Sequence, residues 1–201
     1  IYGGIVAVNC ELDAETAALM KPVFLEIIIA PSFSNGALEI LTSKKNLRLL
    51  QVDMTRSAVA PMQYVSVNGG MLAQQLDTQT VKVGIDMAVT EKKPVVEQLS
   101  DMDFGWRIVK HVKSNAIAVV KDGQTVGVGA GQMNRVGSAE IALAQAKEKG
   151  VTEGLVLASD GFLPFDDTVI LAARYGVAAI VQSGGSVHDE DSVNKANALG
   201  I

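Results

Sequence analysis

The stretch at residues 113–135 constrains the fold of this chain most, because it joins a hairpin signal to a glycine-rich strand end. Asp122-Gly123 lies between two apolar, β-branched runs, 116–120 and 125–128, and this dipeptide suits a tight turn whose central residues need positive φ. A β-hairpin is therefore predicted here. The polar and cationic residues beyond the second strand make its far end the best place to look for a small-molecule site.

Three glycines follow at alternate positions of the second strand. Gly127, Gly129 and Gly131 remove side chains from one face, so another group can approach the backbone closely. That group is either a ligand or a packing element of the protein itself, and the glycines alone leave both alternatives open. The spacing departs from the dinucleotide fingerprint G-x-G-x-x-G, and no K-[ST] follows as in a phosphate loop.

Composition bounds the class of protein. The chain has 201 residues, 48% of them hydrophobic and 19% charged, which is enough apolar material for a sizeable globular core. A net charge of −5 and a pI near 5.0 argue against a nucleic-acid partner. Cys10 alone cannot form an internal disulfide, and no apolar run is long enough to span a bilayer. We expect no membrane partner and a cytoplasmic location.

Apolar strands alternate with helical segments along the chain, which is typical of an α/β fold. Asp13 and Ser34 are placed to cap the first two helices, and a turn at 68–70 is flanked by two short strands. Strands are predicted at 5–8, 24–29, 47–52, 116–120, 125–128, 155–158 and 177–181, and helices at 13–20, 34–43, 95–112, 138–149, 168–175 and 189–199. We predict two α/β lobes, 1–94 and 95–201, and both ends look truncated because each falls inside an α/β unit.

Several kinds of catalytic site are excluded or disfavoured. Zinc-dependent deamination needs H-x-E and P-C-x-x-C clusters, whereas this chain has one cysteine and two distant histidines, His111 and His188, so no zinc is expected. A G-x-S-x-G nucleophile motif is absent as well. Lys110-His111 is interpreted as a basic helix end and His188 as a surface residue at a helix N-terminus.

The fuller pattern resembles the transformylase part of the AICAR transformylase/IMP cyclohydrolase family. The segments that carry the resemblance span nearly the whole chain: YGGIVAVN, IIIAPSFSNGALEILTSKKNLRLLQVD, GGMLAQQLD, DFGWRIVKHVKSNA, SNAIAVVKDGQTVGVGAGQMNRVGSA, ASDGFLPFDD and QSGGSVHDEDS. The resemblance implies cytidine-deaminase-like lobes, three-layered α/β/α with mixed sheets, a cyclohydrolase domain absent from these residues, and a homodimer. It also implies formyl transfer from 10-formyltetrahydrofolate to the 5-amino group of AICAR.

The resemblance implies four residues that contact AICAR. Asn115, between the predicted helix and hairpin, would hold the carboxamide and the reacting amine, and it is also the implied catalytic residue of this chain. Asp53 would contact the nucleotide, with Pro31 and Ser32 lining the base. From the residues alone, Asn115 suits a turn and Asp53 a cap or turn, although the end of a strand is also where α/β sheets contact ligands.

On the folate side, the resemblance implies a wall of aromatic, proline and carboxylate groups. Its members are Arg135, Val136, Phe162, Pro164, Phe165, Asp167 and Gly184. From the residues alone, the apolar run at 162–165 is core more often than pocket. Ser183 stands where the family has a proline, so this chain lacks the proline side chain at that position.

A potassium ion is the last implication of the resemblance. It would be bound by Ser114 and Asp160 with main-chain oxygens near Val109 and Val112, although Ala116 stands where the family has a further ligand. The Lys-His pair that the family uses as base and cation lies upstream of these residues.

Two other functions are alternatives to formyl transfer. The chain is either a ligand-binding or dimerisation module without turnover, or an unrelated α/β nucleotide-binding protein.

Overall fold

A computed structural model describes residues 2–54 and 62–201. The chain divides into two compact units, Ile1–Asp77 and Thr78–Ile201. The assignment of 1–94 and 95–201 to two family lobes stays a prediction. No helix in the described ranges is both long and apolar enough to cross a membrane.

The first unit contains a three-stranded parallel sheet in the order β1-β2-β3. Its strands are β1 Gly4–Ala7, β2 Leu25–Ala30 and β3 Arg48–Gln51, connected by helices α1 Ala14–Met20 and α2 Asn35–Leu41. Because the strands are parallel, all three carboxyl ends lie at one edge of the sheet. Leu12, Ile28 and Leu41 are fully buried between the sheet and the helices.

Both predicted helix caps of this unit are confirmed. Asp13 accepts a hydrogen bond from the Thr16 backbone N–H at 2.8 Å, and Ser34 accepts one from the Ala37 N–H at 3.2 Å. The second helix ends at Leu41, earlier than the predicted residue 43. The turn predicted at 68–70 with a short strand on each side is confirmed too, with β4 Met62–Val67 antiparallel to β5 Gly70–Gln75.

The second unit contains a mixed four-stranded sheet in the order β7-β6-β8-β9. Its strands are β6 Ile117–Lys121, β7 Gln124–Gly129, β8 Leu155–Ser159 and β9 Val177–Val181, and its helices are α3 Val96–Val109, α4 Arg135–Glu148, α5 Asp167–Arg174 and α6 Asp189–Leu199. Strands β8 and β9 are parallel, whereas β6 is antiparallel to both of its neighbours.

Helices cover both faces of this sheet. Leu143 of α4 and Ala172 of α5 pack with Leu157 on one face, and Met102 of α3 packs with Val156 on the other. The predicted α/β class with mixed sheets is therefore confirmed. Six α-helices lie in the described ranges.

The Asp122-Gly123 turn has the predicted positive φ values, 51° and 70°. A contact that the sequence did not indicate holds this turn. Asp101 of α3, only 5% exposed, accepts hydrogen bonds from the backbone N–H groups of Asp122 at 2.9 Å and Gly123 at 2.7 Å.

The alternate glycines of β7 make room for a helix. A Cβ at Gly127 would lie 1.9 Å from the carbonyl oxygen of Ala142, and one at Gly129 would lie 1.9 Å from that of Ser138. The group that approaches the bare face is therefore α4, and the packing alternative is the correct one for these two positions. Helix α4 begins earlier than the predicted residue 138, because the Asn134 side chain caps it through the Gly137 N–H at 2.7 Å.

Candidate functional site

Three polar side chains from separate segments meet at the carboxyl end of β8. Antiparallel pairing of β6 with β8 places Asn115, just before β6, beside Asp160, just after β8. Arg135, the first residue of α4, reaches both of them. Its Nη2 donates to Asn115 Oδ1 at 3.0 Å, and its Nη1 donates to Asp160 Oδ1 and to Ser159 Oγ, the latter at 3.1 Å.

The side-chain amide of Asn115 is held at both ends. Its Nδ2 donates to the carbonyl oxygen of Gln132 at 3.0 Å, while its Oδ1 accepts from Arg135. The backbone is held as well, since Ser138 Oγ donates to the Asn115 carbonyl oxygen at 2.6 Å. The Ser114–Asn115 peptide bond is cis. These bonds use one of the two amide N–H groups and one of the two lone pairs of Oδ1, so each end keeps one further hydrogen-bonding position.

Asp160 and Arg135 form a largely buried ion pair, with side chains 13% and 12% exposed. Burial raises the pKa of Asp160, but other interactions outweigh burial and hold the pKa below its ordinary value. These are hydrogen bonds from the Ser114 hydroxyl, the Ala116 N–H and the Arg135 guanidinium, together with the positive charge of that guanidinium. The carboxylate is therefore ionised at neutral pH.

The residues implied for potassium do not fit a second cation at Asp160. The carboxylate already carries the Arg135 guanidinium, and a potassium ion on the same group would face that positive charge. The Val109 carbonyl oxygen accepts from the Val112 N–H at 3.0 Å, and the Ser114 hydroxyl donates to Asp160. Each of these oxygens keeps a lone pair, so the misfit lies in the charge of Arg135. In the part of the chain that the structure describes, no group of three or more His, Cys, Asp or Glu residues could hold a metal ion.

The run at 162–165 divides between core and surface. Leu163 is buried, and its N–H donates to Gln182 Oε1 at 2.7 Å, which ties this loop to the loop after β9. Phe162 and Phe165, in contrast, are 44% and 60% exposed. A core role, the alternative from the residues alone, is therefore correct for Leu163 and wrong for the two phenylalanines. Pro164, which lies between them in the sequence, is half-buried.

The loop after β9 lies beside this aromatic surface. The Phe165 ring stacks on His188 with centroids 6.4 Å apart, and His188 directly precedes α6. Gly184 and Gly185 have φ values of 65° and 101°, and the Gly185 N–H donates to Asp189 Oδ2 at 2.7 Å. The other oxygen, Asp189 Oδ1, is buried without a hydrogen-bond partner among the described residues.

The two remaining folate-side residues lie at helix starts. Val136 is half-buried in the first turn of α4, next to Arg135. Asp167 is exposed at the start of α5, and one of its oxygens accepts from the Thr168 N–H at 2.6 Å. The carboxyl ends of parallel strands and the loops that follow them are where α/β sheets contact ligands.

Pro31, Ser32 and Asp53 belong to the first unit. The register that pairs Ala30 with Gln51 places all three at the carboxyl edge of the parallel sheet. A further residue at this edge, Glu11, accepts a hydrogen bond from Ser32 Oγ at 3.0 Å. No sequence motif indicated Glu11, because the two residues are far apart in the chain.

An apolar pocket of about 930 Å³ lies beside β9 in the second unit. Its lining includes Val83, Met87, Met102, Trp106, Gln182 and Asp189. Of the predicted site residues that the structure describes, Gly184 alone lines this pocket, so the sequence did not predict the pocket. Lys110 and His111 do not line it: Lys110 Nζ donates to the Gln79 carbonyl oxygen at 2.9 Å, and His111 is exposed just beyond α3.

The fold and these clusters define an α/β protein with polar and aromatic groups at the carboxyl edges of its sheets. A profile of the family described as AICARFT/IMPCHase bienzyme matches residues 1–145. All 201 residues align with bifunctional purine biosynthesis proteins PurH, at 56% identity to that of Anoxybacillus flavithermus, 53% to that of Oceanobacillus iheyensis and 51% to that of Bacillus cytotoxicus.

The chain belongs to the AICARFT/IMPCHase bienzyme family. Each alignment covers 100% of this chain and 39% of the relative. The chain therefore spans about two fifths of the length of the curated relatives that it matches.

Proposed function

We propose that this chain supplies the substrate-positioning part of AICAR formyltransferase. The reaction transfers the formyl group of 10-formyltetrahydrofolate to the 5-amino group of AICAR, a step of purine biosynthesis. The observation that carries the proposal is the Asn115 amide, which is fixed at both ends and keeps one donor and one acceptor position. Family membership supports it. Cytidine-deaminase-like lobes, a homodimer and a cytoplasmic location belong to the same proposal.

On the AICAR side, the Asn115 amide is complementary to a carboxamide. Its remaining N–H can donate to the carboxamide oxygen or to the amine lone pair, and its Oδ1 can accept from an N–H of the ligand. Pro31, Ser32 and Asp53 are proposed to contact the base and nucleotide. Since the Ser32 hydroxyl proton is directed at Glu11, Ser32 would offer its oxygen as an acceptor.

On the folate side, the exposed rings of Phe162 and Phe165 offer flat apolar surface for a pteridine, and Pro164 is proposed to add to it. The Asp167 carboxylate has an oxygen not used by its bond to Thr168, and it could accept from ring N–H groups. Val136 and Gly184 would complete this wall.

The chemistry requires more than positioning. The AICAR nitrogen attacks the formyl carbon, the bond from that carbon to N10 of the folate breaks, the amine loses a proton and N10 gains one. An electron-poor amine needs a base for its proton and a cation or donors for the oxyanion. The family's Lys-His pair would supply these from outside residues 1–201, so the chain by itself is proposed to be inactive. The competing proposal is a binding or dimerisation module without turnover.

The test uses a chimaera in which residues 1–201 replace the matching segment of the Anoxybacillus flavithermus protein. Asn115→Asp removes the amide donor and adds a negative charge near a phosphorylated ligand, whereas Arg135 stays paired with the new carboxylate. Formyl transfer should fall by about a hundredfold with only a modest fall in Tm. Asn46→Asp, at an exposed turn before β3, is the matched control and should keep full activity.

Full activity of Asn115→Asp would make Asn115 a structural turn residue. So would a loss of folding that explains all of the lost activity. The separate 201-residue chain should transfer no formyl group, and transfer at the chimaera's rate would direct attention to His111 as an unrecognised base.

A further inference from the structure

We infer that the Arg135 guanidinium is the built-in cation of this site: it neutralises Asp160 and sets the orientation of the Asn115 amide, so the site assembles without a bound potassium ion. Arg135 is then a positioning residue for the AICAR side rather than part of the folate wall. The inference rests on the proposed function for its kinetic consequences, but its structural consequences can be tested in the chain alone.

The guanidinium connects three segments at once. Asn115 precedes β6, and Ser159 and Asp160 lie at the end of β8, while Arg135 itself opens α4. A planar guanidinium presents several N–H donors in a fixed fork, whereas a lysine ammonium is a compact point charge. The fork therefore fixes the relative positions of the three acceptors in a way that a lysine cannot reproduce.

The surrounding backbone is shaped for the guanidinium. A Cβ at Gly161 would lie 2.8 Å from Arg135 Nη2, so any larger residue would push on the group that holds Asn115. Ser159, which is fully buried, accepts from Arg135 Nη1, and its hydroxyl donates a hydrogen bond to the Gly161 carbonyl oxygen at 2.7 Å. The contact between Arg135 and Asn115 is thus part of a closed network.

Arg135 decides which way the Asn115 amide points. A flipped amide would place its NH₂ group against the guanidinium and its oxygen against the Gln132 carbonyl oxygen, and both contacts would be repulsive. The donor of Asn115 is therefore directed by the charge of Arg135. Without that charge, the two orientations would differ much less in energy.

The charge balance leaves no role for a second cation at this carboxylate. Asp160 carries one negative charge, and Arg135 neutralises it in a largely buried setting. Replacing potassium by tetramethylammonium should therefore change neither the Tm of the 201-residue chain nor formyl transfer by the chimaera. The side-chain amide resonances of Asn115 should also be the same in the two salts.

The decisive variants are Arg135→Lys and Gly161→Ala. In the isotope-labelled 201-residue chain, each should shift the Asn115 side-chain amide resonances. In the chimaera, each should lower kcat/KM for AICAR about a hundredfold, while the KM for folate changes less than threefold. Potassium should rescue neither variant. The control is Arg107→Gln, which removes an exposed ion pair with Asp103 on α3 and should leave all of these readouts unchanged.

A folding failure is guarded against by a charge-neutral double variant, Arg135→Gln with Asp160→Asn. It leaves no unpaired buried charge, and it should still shift the Asn115 amide resonances.

An increase of Tm or of activity with potassium in the unsubstituted protein, lost in Asp160→Asn, would overturn the inference. A variant effect confined to the KM for folate would also overturn it and return Arg135 to the folate wall. If the unsubstituted chimaera transfers no formyl group, the proposed function fails, whereas the amide resonances and the salt-independent Tm still decide the inference.

Discussion

Asp101 of α3 accepts a hydrogen bond from the Gly123 N–H of the β6–β7 turn, with 2.7 Å between its Oδ1 and the Gly123 nitrogen. Its second oxygen accepts from the neighbouring Asp122 N–H. One buried carboxylate therefore satisfies both backbone donors of a turn whose φ values are positive. This contact couples the first helix of the second unit to the hairpin that precedes the candidate site.

Removing that carboxylate should destabilise the second unit. Asp101→Ala leaves two part-buried backbone donors without their acceptor, and a cost of about 1–3 kcal/mol in the free energy of unfolding is expected. Asp101→Asn keeps one acceptor and should cost less. Urea unfolding followed by Trp106 fluorescence measures both. The control Glu148→Ala, at an exposed helix position, should change the free energy of unfolding by less than about 0.5 kcal/mol. If this control lost as much stability as Asp101→Ala, the Asp101 carboxylate would have no special role in holding the turn.

The glycine at position 129 should not tolerate a side chain. In Gly129→Ala, the new Cβ would overlap the Ser138 carbonyl oxygen, so α4 must move away from β7, and overpacking of this kind costs about 1–3 kcal/mol. Since α4 also carries Arg135, the Asn115 amide resonances should shift. Gly70→Ala is the control, because nothing lies within 4 Å of a Cβ there. Thermal unfolding by circular dichroism compares the two, and equal melting temperatures would contradict the packing role.

Acid should weaken the fold through Asp160. Its pKa in the folded state lies below its value in the unfolded chain, so its contribution to stability is complete above about pH 4 and is lost as the pH falls through the folded pKa. Asp160→Asn should therefore be less stable than the unsubstituted chain at pH 7, and the difference should narrow at lower pH. Urea titrations across this range measure it. A difference between Asp160→Asn and the unsubstituted chain that stays constant with pH would refute the prediction.

A folate analogue should bind at the exposed aromatic surface. Chemical-shift mapping is expected to show changes at 162–167 in preference to residues 62–93. Phe165→Ala should weaken binding with little change of Tm, because that ring is 60% exposed. Perturbation centred on the Trp106 indole would instead assign the ligand to the apolar pocket beside β9, and an unaffected 162–167 segment would remove the proposed folate wall.

Features that depend on a few neighbouring residues were predictable. The Asp122-Gly123 turn and the caps at Asp13 and Ser34 all follow from backbone and capping preferences of the residues involved. Alternating apolar segments likewise indicated the α/β class, because burial of one helix or strand face leaves a periodic pattern. The family resemblance also came from the order of motifs along the chain.

The tertiary structure decided what those local features contact. Gly127 and Gly129 signalled a close approach, but only the packing of α4 identified the approaching group. The resemblance named Arg135 as a ligand-contacting residue, but only the structure shows that its guanidinium bonds Asn115 and Asp160, each 20 or more positions away along the chain. Such pairings depend on strand register and helix placement, which arise from the summed packing of the whole unit. Residue identity and local spacing therefore predict which groups are present, and the fold determines which of them meet.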